Sequence, residues 1–253
     1  MKHLAFLRKE FLEQIRTGKG LILLSVFFLF GMTSPLLAKL LPEILGSMDL
    51  QGVKLVLPEP TAIDAYAQFF KNFTQMGILI LLLIFGQTLS SELTKGTLIN
   101  ILAKGLPRSS VLLSKYIAAV TLWTIGYAMA AGVTVGYTVY LFQAAGIQHL
   151  FLAFACLWLF GCLVLAFVLL SAAIIPGSFG GLVLTAVLIL LMLMLGILPA
   201  AAQFNPVTLA SENMGLITGM TKPDSLITPM IITIVLTLGS LASAIVIFNK
   251  KRL

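Results

Sequence analysis

"LFLAFACLWLFGCLVLAFVLLSAAII", residues 150–175, contains no Asp, Glu, Lys or Arg. The run is longer than the ~20 helical residues that cross the hydrocarbon of a bilayer. It also lacks the polar–apolar alternation of a barrel strand, and only helices and closed barrels satisfy their backbone groups in lipid. It lies inside a longer uncharged stretch, since no Lys, Arg, Asp or Glu falls between Lys115 and Glu212. A water-facing surface is not built from such material. The whole chain agrees, with 59% hydrophobic and 10% charged residues over 253 positions and a mean hydropathy of +1.08, well outside the soluble range. The sequence predicts an all-α polytopic membrane protein, with one transmembrane domain covering residues 1–253.

Six runs are long enough to span: 20–38, 73–90, 111–142, 150–175, 179–201 and 226–248. The third exceeds the need by several turns, which implies tilt or protrusion at its start. Basic residues decide the orientation. Lys2, Arg8, Lys9, Arg16 and Lys19 precede the first run, Lys95, Lys104, Arg108 and Lys115 lie between the second and third, and Lys250, Lys251 and Arg252 close the chain. The opposite side has Lys39, Lys54, Lys71 and Lys222 together with the acids Glu43, Asp49, Glu59, Asp64, Glu212 and Asp224. The positive-inside rule then places both termini in the cytoplasm. The formal charge of +7 is therefore an orientation signal and does not point to nucleic acid.

Residues 1–19 form an interfacial element. Leu4, Leu7, Phe11 and Ile15 share one helical face and Lys9, Glu13 and Arg16 the other, the pattern of a helix lying in the membrane surface. Glu10 and Glu13 among the bases make the segment unlike a signal-peptide n-region, so it is expected to be retained. Pro42, Pro58 and Pro60 punctuate an outer loop from Lys39 to Asn72, and Tyr66, Phe69, Phe70 and Phe73 are expected to form an aromatic belt at the entrance to the second span. Residues 202–225 are read as an outer loop or a short re-entrant helix. Residues 174–181, "IIPGSFGG", form an uncharged turn.

Catalytic chemistry is hard to find. His3 and His149 have no second ligand at metal-binding spacing. Ser178 has no neighbouring base. Cys156 and Cys162 are separated by ~9 Å of helical rise, too far for a disulfide, and are assigned to packing. Gly18-Lys19-Gly20 lacks the rest of a phosphate loop, and no ionisable side chain sits in the middle of a span to couple an ion gradient. The chain is not expected to be an enzyme or to hold a metal. Gly132 and Gly136, spaced as GxxxG, are assigned to packing within the subunit.

Residues 90–115, "SSELTKGTLINILAKGLPRSSVLLSK", interrupt the apolar pattern. Leu93 to Ala103 is compatible with a helix, Gly105 and Pro107 stop it, and Ser109 or Ser110 can cap the next. Lys95 and Lys104 hold the segment at the membrane face while Leu98, Ile101 and Leu102 are free to pack. Taken alone, Glu92 could simply pair with Lys95 one turn on.

Glu92, then Gly96-Thr97-Leu98, Pro107-Arg108-Ser109 and Lys115 at the head of the third span resemble the signature of ABC-2-type transporter permeases. The likeness extends to the surface helix, six spans and basic second-to-third loop. One departure is Pro107-Arg108-Ser109-Ser110, where relatives often read Pro, a small residue, then Ser-Arg. The resemblance implies a coupling helix within 91–110 that docks an ATP-binding subunit through Glu92, Lys95, Gly96, Thr97, Leu98, Leu102, Pro107 and Arg108. It also implies a second permease chain, a bacterial cytoplasmic membrane, and ATP and Mg on the partner with no cofactor in this chain. The uncharged interior adds a hydrophobic or amphipathic cargo, such as a peptide, drug or lipid, for export. The alternatives are an ion-gradient-driven secondary transporter and a non-transporting scaffold or sensor.

Overall fold

A computed structural model describes residues 2–47, 59–89, 92, 105–142, 146–175, 177 and 179–251, and the regular structure among them is helical. The chain runs along α1 (Lys2–Arg16) and turns at Gly18, whose φ of +73° suits a residue without Cβ. It then enters α2 (Lys19–Ser47). This helix passes through Pro35 and Pro42 and outruns the expected 20–38 span, so Pro42 starts no loop. A proline removes the hydrogen bond to the carbonyl four residues back, here that of Gly31. The Thr134 hydroxyl donates to that carbonyl at 3.0 Å from a neighbouring helix, and the Thr33 and Ser34 hydroxyls close back on Leu29 and Phe30. Such substitute partners make interior proline tolerable in a membrane helix.

The second span also begins earlier than expected. Asp64 accepts the Thr61 backbone N–H at 2.8 Å and starts a rod of α3 (Ala62–Asn72), a π-helical turn (Phe73–Gly77) and α4 (Ile78–Phe85). Asp64, Gln68, Lys71 and Asn72 dilute its hydropathy, yet Ala62, Ala65, Tyr66, Phe69, Phe70 and Phe73 follow helical spacing and are all buried. The aromatic belt is therefore an aromatic core. Phe69 stacks on Phe73 at 4.5 Å, Phe73 meets Phe27 edge-on at 4.9 Å and Tyr127 at 5.3 Å, and Phe69 meets Phe154 at 5.2 Å. Inward packing won because the rings find complementary edges there, which a lipid boundary does not offer.

α5 (Arg108–Leu141) has 34 residues, roughly 51 Å of rise, more than a hydrocarbon layer of ~30 Å requires. α6 (Leu150–Ile174) is the hub. Of its most apolar window 72% is buried against protein, compared with 28% for α2 and for the last helix. The quoted run is apolar all round because other helices enclose most of it. Trp123 of α5 lies against Gly161 of α6, where a Cβ would stand 2.5 Å from the indole, and its N–H donates to the Trp158 carbonyl at 3.1 Å. Gly31 likewise admits the backbone of Ala130, 2.6 Å from where its Cβ would be. Gly132 and Gly136, assigned to such packing, instead face open space with no atom within 4 Å of either Cβ position.

α7 (Gly180–Gly196) is apolar but has only 17 residues, about 25 Å, and breaks before α8 (Pro199–Ala202). Among the described residues five helices are long and apolar enough to cross a membrane, and the expected 179–201 span is not one of them. The stretch expected as an outer loop or re-entrant helix forms two short helices, α9 (Thr208–Ser211) and α10 (Asn213–Ile217). Leu209, Leu216 and Ile217 are fully buried there, and the Gln148 N–H bonds the Ile217 carbonyl at 3.0 Å across the start of α6. A 3-10 turn (Pro223–Leu226) leads into α11 (Ile227–Lys250). At the other end of α6 a second core gathers Phe6, Leu89, Leu106, Val111, Leu112, Ala173 and Phe248. It seats α1, both flanks of residues 93–104 and the end of α11 in one place.

Candidate functional site

Of the nine acids, only Glu10, Glu13 and Glu92 lie on the strongly basic side of the sequence, and all three meet beside the second core. Lys115, on the second turn of α5 with a side chain only 1% exposed, contacts both Glu10 oxygens at 3.1 Å and Glu92 Oε2 at 2.8 Å. Lys9, half-exposed on α1, contacts Glu92 Oε1 at 2.9 Å, Glu13 Oε2 at 2.6 Å and Glu10 Oε1 at 3.1 Å. Three carboxylates and two ammonium groups thus form one network that joins α1, residue 92 and α5. The carboxylate oxygens lie within 4.8 Å of one another, a spacing a cation can use, but the lysine ammonium groups already bridge them.

The electrostatics favour the charged forms of Glu92 and Lys9. Burial alone would raise the Glu92 carboxyl, but Lys115 and then Lys9 outweigh it and hold that carboxyl below the usual range. Burial works to lower Lys9, and its hydrogen bonds to Glu13 and Glu92, with the field of Glu10, lift it above its ordinary value. Buried ions of this kind give modest net stability when complete and are costly to break singly.

The far flank of residues 93–104 is fixed differently. Gly105 takes a φ of +80°, Leu106 is buried, and Pro107 in extended conformation precedes the first turn of α5. Arg108 Nη1 donates to the carbonyls of Phe248 at 2.8 Å, Asn249 at 3.2 Å and Lys251 at 2.5 Å, capping α11, and its guanidinium lies 5.8 Å from the Phe248 ring centroid. Lys251 Nζ in turn bonds the Ala173 carbonyl at 2.8 Å.

Of the residues assigned from sequence, Glu92, Pro107 and Arg108 are brought to this end of the bundle. Lys95, Gly96, Thr97, Leu98 and Leu102 lie outside the described residues, as does the proposed Glu92–Lys95 pairing; the Glu92 contacts described here go to Lys9 and Lys115. On α1, Leu4 and Ile15 are 74% and 70% exposed, and Leu7 and Phe11 are half-buried beside α5 and α2. A third face of α1, Phe6, Glu10 and Gln14 at spacing of four, is the one buried against the bundle. Sequence reasoning missed it, although a carboxylate and an amide in register with a Phe carried the signal.

A sequence profile described as "ABC-2 family transporter protein" matches residues 4–253. The chain belongs to that family. It is also 22% identical over 148 residues to the uncharacterized transmembrane protein YxlG of Bacillus subtilis (strain 168), a match covering 58% of this chain and 57% of the relative. The chain thus spans little more than half the length of that relative. Family membership and the five long apolar helices make the protein a multi-pass membrane protein of a transporter family. The signature positions Glu92 and Lys115 are ion-paired with each other in it.

Proposed function

We propose that this ABC-2 family protein is the membrane-spanning permease subunit of an ATP-driven exporter and that residues 91–110 transmit motion from a separate ATP-binding subunit. The observation that carries this is mechanical. One flank of residues 93–104 is ion-paired through Glu92 to α1 and α5, and the other is tied through Arg108 to the end of α11. A push on that segment is delivered to three helices at once, since ion pairs and caps of this geometry resist stretching. Family membership supports the ATP-binding partner and the lipid setting.

In this proposal α7 makes a sixth crossing, with local thinning of the bilayer accommodating its ~25 Å. Both termini then face the cytoplasm of a bacterial cell, as the distribution of Lys and Arg requires. Two permease chains enclose the path. The absence of charge between Lys115 and Glu212 favours a hydrophobic or amphipathic cargo. Purification in mild detergent is expected to recover a soluble ATPase in stoichiometric amount, and Glu92→Gln is expected to separate ATP hydrolysis from export while leaving membrane insertion intact. Recovery of the chain alone, moving cargo in liposomes on an ion gradient, overturns the proposal in favour of secondary transport.

A further inference from the structure

A trough of about 520 Å³ lies between α1, the first turns of α2 and the middle of α5. Its walls are almost entirely apolar, formed by Phe11, Ile15, Leu21, Leu24, Leu122 and Ile125. Ile15 and Leu21 are each 70% exposed and Ile125 54%, so the trough opens sideways, where lipid tails lie. One amide is set into it. Gln14 is 6% exposed and its side-chain oxygen has no hydrogen-bond partner. A buried amide oxygen without a donor costs free energy, and a ligand that supplies a hydroxyl recovers it. An apolar trough alone would hold any lipid tail, but the amide requires a polar group at its own depth.

Charge fixes what that group belongs to. Arg16 and Lys19 bracket the Gly18 turn that joins Ile15 on one wall to Gly20 on the other, and neither is within ion-pair distance of a described carboxylate. Cations at the boundary and an apolar trough beyond match the order of phosphate and acyl chain in a glycerophospholipid, and the Gln14 oxygen can accept from a headgroup hydroxyl. We propose that the trough binds one anionic phospholipid from the leaflet in which α1 lies. An acyl chain runs along Leu24, Leu122 and Ile125, a headgroup hydroxyl such as that of phosphatidylglycerol donates to the Gln14 side-chain oxygen, and Arg16 and Lys19 meet the phosphate. The lipid then wedges α1 against α2 and α5.

The test uses the full chain alone in phosphatidylcholine nanodiscs containing a trace of photoactivatable phosphatidylglycerol, with crosslinks mapped by mass spectrometry. Label is expected on the α1, α2 and α5 peptides bordering the trough, and unlabelled phosphatidylglycerol is expected to compete better than phosphatidylcholine. Arg16→Gln and Lys19→Gln are each expected to weaken that preference by about fivefold, the value of one juxtamembrane cation near an anionic headgroup. Ser25→Trp, at an exposed wall position, fills the trough and is expected to remove the local label; Ile125→Trp does the same from the facing wall. Gln14→Leu lowers labelling without lowering the melting temperature, whereas a purely structural glutamine would lower the latter. Label spread evenly around the bundle and indifferent to both tryptophans, or equal competition by phosphatidylcholine, means annular lipid only and overturns the proposal. The measurement needs no ATPase or cargo, so its outcome is independent of the transport proposal.

Discussion

Replacing Lys115 by Met removes the most deeply buried cation of the ion network and leaves its packing volume nearly unchanged. Lys115 has its ammonium 2.8 Å from Glu92 and 3.1 Å from both oxygens of Glu10. At an effective dielectric near 20, a contact of this length is about 6 kcal/mol of gross attraction, most of which offsets the desolvation of the two ions. The net value of the intact pair is therefore small, but its loss leaves Glu10, itself 1% exposed, with only Lys9, 3.1 Å from one of its two oxygens. Breaking a buried pair this way costs about 3–5 kcal/mol, a large part of the ~5–15 kcal/mol that holds a domain folded. Lys115→Met is thus expected to lower the melting temperature in detergent by many degrees, followed by fluorescence-detected size exclusion after heating. Adding Glu10→Leu restores the balance of charge, and the double variant is expected to recover most of the loss, since an apolar replacement of a whole buried pair is often neutral or better. A single variant that melts like the parent, or a double variant no more stable than the single, refutes the reasoning.

Arg108→Ala uncaps three carbonyls at the end of α11 and is expected to cost about 1–2 kcal/mol, discounted because the site is partly solvated; Arg108→Lys, a point charge without the fork, is expected to recover only part of it in the same melting assay. Gly31→Leu drives a side chain into the Ala130 backbone and is expected to destabilise by about 1–3 kcal/mol or prevent folding, while Gly136→Leu, facing open space, leaves the melting temperature of the solubilised chain unchanged. Glu92, held below its ordinary value of 4.5, contributes stability that is present above that pH and lost as pH falls through its lower folded value. Lys9, raised above 10.5, contributes fully below that pH and loses its share only as pH rises through its higher folded value. The melting temperature is accordingly expected to be flat across neutral pH and to fall on the acid side, with a shallower acid limb in Glu92→Gln.

Much of the fold was legible along the chain. The hub helix, the long third run and the helix of residues 2–16 stand where composition and periodicity put them, and Leu4 and Ile15 are exposed on the last of these. The errors cluster where local averages mislead. Polar residues on the outer side of α3 hid a span that begins at Ala62, and Pro42 suggested a loop where the helix continues. Half of the candidate site was visible in Glu92 and Lys115 as signature positions, but Glu10 and Lys9 were read only as part of a mixed-charge segment.

The division has a physical cause. Solubility in lipid is a sum over neighbouring residues, so the sequence by itself determined that the chain lives in a membrane and roughly which runs are long and apolar enough to cross it. Which apolar surface meets protein and which meets lipid is not such a sum, because a lipid tail and a leucine are chemically alike. Only the tertiary structure sent Phe69 and Phe73 inward and left Gly136 open. It also decided the ion pairs. Glu92 finds its partners in Lys9, 83 positions away, and in Lys115, because a buried carboxylate goes with whichever cation the packing of α1 and α5 delivers to it.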